Sequence, residues 1–239
     1  MYKKKKIIAI IPARSGSKRL KKKNIKSFNG KPLIEWTIKN ALSSKLLDQI
    51  FVSTDSLEIK NISINCGLEI PFMRPKLISK DKSPTSETVL HVLNKFERLG
   101  EKYDYVVLLE PTSPLRKIYD IDRAIKKMID TPYAETLVSL GKIHLEHPLI
   151  SKKIYNKKFV KPYYLEKKEI YQSQQLDGAY FPYGVVYISS IKAFRVNKSF
   201  YTKKTIPYHI DRWQNYEIDD WFDFKTVENI FRLIEEKNG

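Results

Sequence analysis

The chain predicts an α/β fold, a mostly parallel sheet with helices on both faces, and three observations carry that expectation. Ile7 to Ile11 is an unbroken apolar run without polar alternation, the pattern of a strand buried on both faces. Further short apolar runs alternate with segments of helical period, as in chains that build parallel sheets through helical crossovers. At 239 residues and 42% hydrophobic content, the chain can bury one sizeable core.

Taken in order, Pro12 ends the first strand and a small-residue loop follows it. Gly30-Lys31-Pro32 introduces a helix in which Leu33, Thr37, Ala41 and Ile34, Ile38, Leu42 recur at four-residue spacing. Gln49 to Thr54 reads as a strand. Asp55, with Glu58 three residues on, starts a helix in the manner of a capping box, and Gly67 ends it after Cys66. Glu87 to Leu99 and Ile118 to Ile129 are helical, while Tyr105 to Leu109 and Glu135 to Leu140 are strands. His209 ends a further strand-like run. Trp221, Phe224, Val227, Ile230, Phe231 and Ile234 form one face of a C-terminal helix. Residues 142–182 break the alternation: they are rich in Tyr, Lys and Pro without a helical period, and read as an extended insertion with strand-like pieces. Its aromatic residues suit a subunit interface. With no internal repeat or linker, one domain over 1–239 is expected.

The formal charge of +17 invites a nucleic-acid reading, yet Lys is spread along the chain, and zinc-finger spacing, an aromatic RNA-binding signature and a long basic tail are all missing. Nucleic acid is therefore not an expected partner, and neither is a membrane, because no run approaches the roughly twenty apolar residues a span needs. The lone Cys66 cannot form an internal disulfide and suits a reducing, cytoplasmic setting. Four scattered histidines lack metal-ligand spacing and read as structural.

Three motifs fall where strands end, the place at which open α/β sheets bind ligands. The loop after the first strand carries Arg14, Ser17, Lys18 and Lys23, and twelve Lys or Arg residues precede the first acid, Glu35. Its cations can neutralise phosphate, and Ser15, Gly16 and Ser17 leave room for amide contacts, so it suits a polyanion such as a nucleoside triphosphate. It is neither a dinucleotide fingerprint nor a P-loop. LLEPTSPLR, Leu108 to Arg116, presents Glu110 at a strand end on a loop stiffened by two prolines. YEIDDWFDF crowds Glu217, Asp219, Asp220 and Asp223 together. Such carboxylates suit Mg2+ shared with substrate phosphates, or, for Asp220 and Asp223, the capping of a helix.

IPARSGSKRLKKKN, GKPLIEWTI, FVSTDS, FMRP, LLEPTSPLR and EIDDWFDF, in that order, resemble the acylneuraminate cytidylyltransferase family, the CMP-sialic acid synthetases and their CMP-legionaminic and CMP-pseudaminic relatives. The resemblance spans the chain. It implies a Rossmann-like fold of nucleotidyltransferase type and a homodimer in which the insertion reaches towards the neighbouring site. The implied reaction joins CTP to the anomeric hydroxyl of an acidic nine-carbon sugar, with Mg2+, and releases pyrophosphate. It further implies that Arg14, Ser17, Lys18, Lys23, Asn24, Arg74, Ser83 and Thr85 bind the nucleotide, with Arg14 and Lys23 on the leaving pyrophosphate. Asp219 and, two residues earlier, Glu217 fall at the metal site, while Glu110 and Gln174 fall at the sugar. Three departures bear on the acceptor: Glu110 stands where many relatives carry Gln, Ser173-Gln174 replaces Arg-Gln, and Tyr183-Gly184 replaces Asn-Gly. A carboxylate at 110 accepts but does not donate when ionised, so the acceptor differs from ordinary sialic acid or is read by other residues. A 3-deoxyoctulosonate-type acceptor and a catalytically silent nucleotide-sugar binder are the alternatives.

Overall fold

The computed structural model describes residues 2–164 and 177–238. Its main sheet has six strands in the order β10-β6-β9-β5-β1-β4. These are β1 (Ile7–Pro12), β4 (Gln49–Ser53), β5 (Tyr105–Leu108), β6 (Thr136–Lys142), β9 (Tyr180–Ser190) and β10 (Thr205–His209). β1 pairs in parallel with β4 and β5, and β10 with β6, whereas β9 runs antiparallel between β5 and β6. The expected mostly parallel sheet is thus present, with one reversed strand near its middle. Ile7, Ile8, Ala9, Ile10 and Ile11 are all fully buried, as a strand covered on both faces requires.

The helices are α1 (Leu33–Leu42), α2 (Leu57–Asn65), α3 (Thr85–Arg98), α4 (Asp120–Ile129), α5 (Ile191–Asn197) and α6 (Trp221–Asn238). A tiny ladder, β2 (Ser27–Phe28) with β3 (Lys31–Pro32), precedes α1 and shifts its start to Leu33. α2 ends ahead of Gly67, which adopts φ +91°. Its other end differs from expectation: Ser56, not Asp55, caps it by accepting from the Ile59 amide at 3.3 Å. Asp55 is drawn elsewhere, accepting from both the amide and the hydroxyl of Ser15 at 2.8 Å. A tertiary partner has outbid the local cap, and the basic loop gains an anchor.

The insertion contains the hairpin β7 (Lys152–Tyr155) and β8 (Phe159–Pro162), both strands of which are exposed on every residue. A second, smaller core of Leu20, Phe28, Leu33, Leu115, Ile218, Phe224 and Val227 sits beside the main one. Phe28 meets Phe224 and Phe231 edge-on, with ring centroids 5.6 and 5.4 Å apart. This cluster binds α6, and the acidic segment before it, to the basic loop through Leu20.

Candidate active site

A cleft of about 470 Å3 opens where β1 and β5 end, and Arg14, Ser17, Lys18, Lys23, Asn24, Arg74, Ser83, Thr85, Glu110 and Asp219 all line it. Ten side chains singled out in the sequence therefore converge, although up to 205 positions separate Arg14 from Asp219. Gln174 and Ser173 lie outside the described residues.

The basic loop is held from below. The Asn24 side-chain amide donates to the Arg14 carbonyl at 3.1 Å, and Lys22 takes a left-handed φ of 54° that turns Lys23 inward. Lys23 Nζ donates to the Ile218 carbonyl at 2.8 Å and lies 3.6 Å from Asp219 Oδ1. Burial pushes its ammonium pKa down, while Glu110, Glu217 and Asp223 draw it back up. Arg74 is buried and structural in its contacts: its Nε donates to Ser53 Oγ at 3.1 Å, and burial lowers its pKa to about 10.

Two carboxylates answer the cations. Asp81 bridges Arg14 and Lys18, each at 2.5 Å, and Asp219 pairs with Arg19 as well as Lys23. Neither Asp81 nor Arg19 was singled out in the sequence. Arg19 sits inside the basic loop already noted, but Asp81 belongs to no motif and reaches the cleft only through the turn ahead of α3. The acidic run divides into two roles. Asp220 and Asp223 cap α6 reciprocally, accepting from backbone amides of residues 219–223 at 2.8–3.1 Å. Asp219 alone of the four lines the cleft. The sequence pairs Asp219 with Glu217 as metal ligands, whereas the structure turns Glu217 Oε1 towards Ser113 Oγ at 2.8 Å and the Gly184 amide.

Glu110 shares this corner. A Cβ on Gly184 would stand 2.7 Å from the Cβ of Glu110, so only glycine lets β9 approach so closely. Burial, and then the charge of Glu217, push the Glu110 carboxyl up to about 7 from its ordinary 4.5. The folded protein thus holds a proton that the unfolded chain releases. Stability contributed by this group is complete below the ordinary value and falls as pH rises towards 7. Glu110→Gln is therefore expected to raise Tm more at pH 8 than at pH 5, by the equivalent of up to about 3 kcal/mol. Thermal denaturation at both pH values checks this, and an equal effect at both would refute it.

A cation-lined cleft at the carboxyl ends of β1 and β5 in a mostly parallel sheet defines a class, the α/β proteins that hold polyanionic nucleotides at strand ends. Residues 8–237 match the family model described as Cytidylyltransferase. The chain belongs to the cytidylyltransferase family and is a nucleotidyltransferase. It is 35% identical over 231 residues, 96% of this chain and 98% of the relative, to the CMP-N,N'-diacetyllegionaminic acid synthase of Legionella pneumophila. The pseudaminic acid cytidylyltransferase of Campylobacter jejuni is 29% identical, over 96% of this chain and 97% of its own. Among solved structures, a CMP:2-keto-3-deoxy-manno-octonic acid synthetase complexed with CTP shares the fold, with a TM-score of 0.69 at 16% identity, covering 95% of this chain and 99% of that one.

Proposed function

We propose that this protein transfers the cytidylyl group of CTP to the anomeric hydroxyl of a nonulosonic acid and releases pyrophosphate. The observation that carries the reading is the convergence of Arg14, Lys18 and Lys23 with Asp219 and Glu110 in one cleft. The names of the full-length relatives, which act on legionaminic and pseudaminic acids, supply the acceptor class.

In this reaction the acceptor oxygen attacks the α-phosphorus while the bond to the pyrophosphate oxygen breaks on the opposite side. Arg14, Lys18 and Lys23 hold the triphosphate and stabilise the charge that gathers on the leaving pyrophosphate. Ser83 and Thr85 face the base, and Arg74 stiffens the wall beneath it. Glu110 faces the acceptor. Among the described residues no group of three His, Cys, Asp or Glu forms a metal cage. The exposed carboxylate of Asp219 beside the phosphate cations fits Mg2+ instead, an ion commonly held by one or two carboxylates together with substrate phosphates. When bound, Mg2+ would neutralise phosphate charge there.

The exposed Ile154, Phe159 and Val160 of the β7–β8 hairpin support a homodimer in which the insertion, around 142–182, packs on a second copy. No helix among the described residues is long and apolar enough to cross a membrane. The lone Cys66, which has no partner for an internal disulfide, supports a cytoplasmic setting.

Pyrophosphate release from CTP and Mg2+ should appear with one or more acids in a panel of legionaminic, pseudaminic, N-acetylneuraminic and 3-deoxyoctulosonic acids. CTP binding without turnover on any broad panel of 2-keto sugar acids would leave a silent binder and defeat the enzyme reading.

A further inference from the structure

Glu217 stands two residues before Asp219, where a second metal carboxylate is expected, yet its contacts belong to the protein. Its Oε1 accepts from Ser113 Oγ at 2.8 Å and from the Gly184 amide, which joins the segment before α6 to the loop after β5 and to β9. The next residue continues the stitching: the Ile218 amide donates to the Thr112 carbonyl at 2.9 Å. The Ile218 carbonyl in turn receives Lys23 Nζ at 2.8 Å. Asp219 follows and lines the cleft, while Glu217 does not.

We propose that Glu217 is a positioning residue, a bracket that aims the Ile218 carbonyl and the Asp219 carboxylate, and that of these two it is Asp219 that offers its carboxylate to the divalent cation. The inference rests on the cytidylyltransferase reading and deepens it. The chemistry separates a bracket from a ligand. An amide N–H and a hydroxyl require an acceptor, which a glutamine carbonyl supplies as well as a carboxylate does. A hard divalent cation favours an anionic oxygen, which glutamine lacks.

The test measures Mn2+ binding in the presence of CTP by the loss of the free-ion electron spin resonance signal, and CTP binding alone in EDTA by calorimetry. Glu217→Gln should keep both affinities within about twofold of the unsubstituted protein. Asp219→Asn should weaken Mn2+ by tenfold or more while leaving CTP binding in EDTA within a fewfold. Glu217→Ala and Ser113→Ala should both weaken CTP binding in EDTA, the former by tenfold or more, because Lys23 loses its anchor; if Glu217→Ala does not fold, Ser113→Ala still reads the bracket. Loss of Mn2+ affinity in Glu217→Gln equal to that in Asp219→Asn, with CTP binding intact, overturns the proposal. So does a Ser113→Ala variant that binds CTP like the unsubstituted protein. Failure of the unsubstituted protein to bind CTP would instead overturn the cytidylyltransferase reading, and the bracket would then be judged by stability, which Glu217→Gln must keep and Ser113→Ala must lower.

Discussion

Replacing Lys23 with alanine is expected to lower kcat/KM for CTP by about 10²–10³-fold, the range seen when one preorganised donor to a charged transition state is removed. Three features make this the largest catalytic effect. The side chain is only 14% exposed, so its charge is poorly screened. Its ammonium is already aimed, by the Ile218 carbonyl at 2.8 Å, and loses little freedom on meeting a phosphate. Glu110, Glu217 and Asp223 favour its charged form against the burial that opposes it. Arginine should not rescue, because a planar fork cannot keep the carbonyl contact in the space of an ammonium. Steady-state kinetics at varied CTP, with a thermal melt to verify folding, checks the outcome. A folded variant within threefold of the parent would remove Lys23 from the reaction.

The largest stability effect should follow from Arg116→Ala. This guanidinium is 4% exposed and donates to the carbonyls of Val185, Gly184 at 3.0 Å and Glu110 at 3.2 Å, and to Thr37 Oγ1 at 3.3 Å. Burial lowers its pKa to about 10, and Asp120, Glu110 and Glu217 favour its charged form against that burial. Truncation leaves several buried acceptors unpaired and opens a cavity, a loss of about 3–5 kcal/mol. For a chain of this size that corresponds to roughly 10 °C in Tm. Thermal denaturation measures it directly, and a shift of less than about 3 °C would show that water or a neighbour takes over these acceptors.

Arg116 also marks the limit of what the sequence made legible. The run Ile7 to Ile11, the four-residue spacing of α1 and the Gly67 stop were readable because local pattern and tertiary role agree there. β9 was not: Pro182 and Gly184 argue against a central strand, and the run lacks alternation. In the sheet the β6–β9 register shifts between Val138 and Leu140, and Ser139 fills the irregularity with hydrogen bonds to the amide and carbonyl of Val186, each at 2.9 Å. That bulge frees the Gly184 and Val185 carbonyls for Arg116, so the role of an arginine noticed in a motif depended on a strand that was not. The same logic applies to the site. Cations clustered within ten positions of one another were visible as a group, whereas Asp81, brought in by a turn, carried no local signal.

The clasp of Asp81 on Arg14 and Lys18, mirrored by Asp219 on Arg19 and Lys23, has a consequence for how a ligand arrives. Two carboxylates offset half the charge of these four cations before any nucleotide is present, so binding is in part an exchange of one anion for another. Fewer solution ions change places in such an exchange than four free cations would command. Affinity for a triphosphate should therefore depend on ionic strength less steeply than a count of the basic side chains suggests.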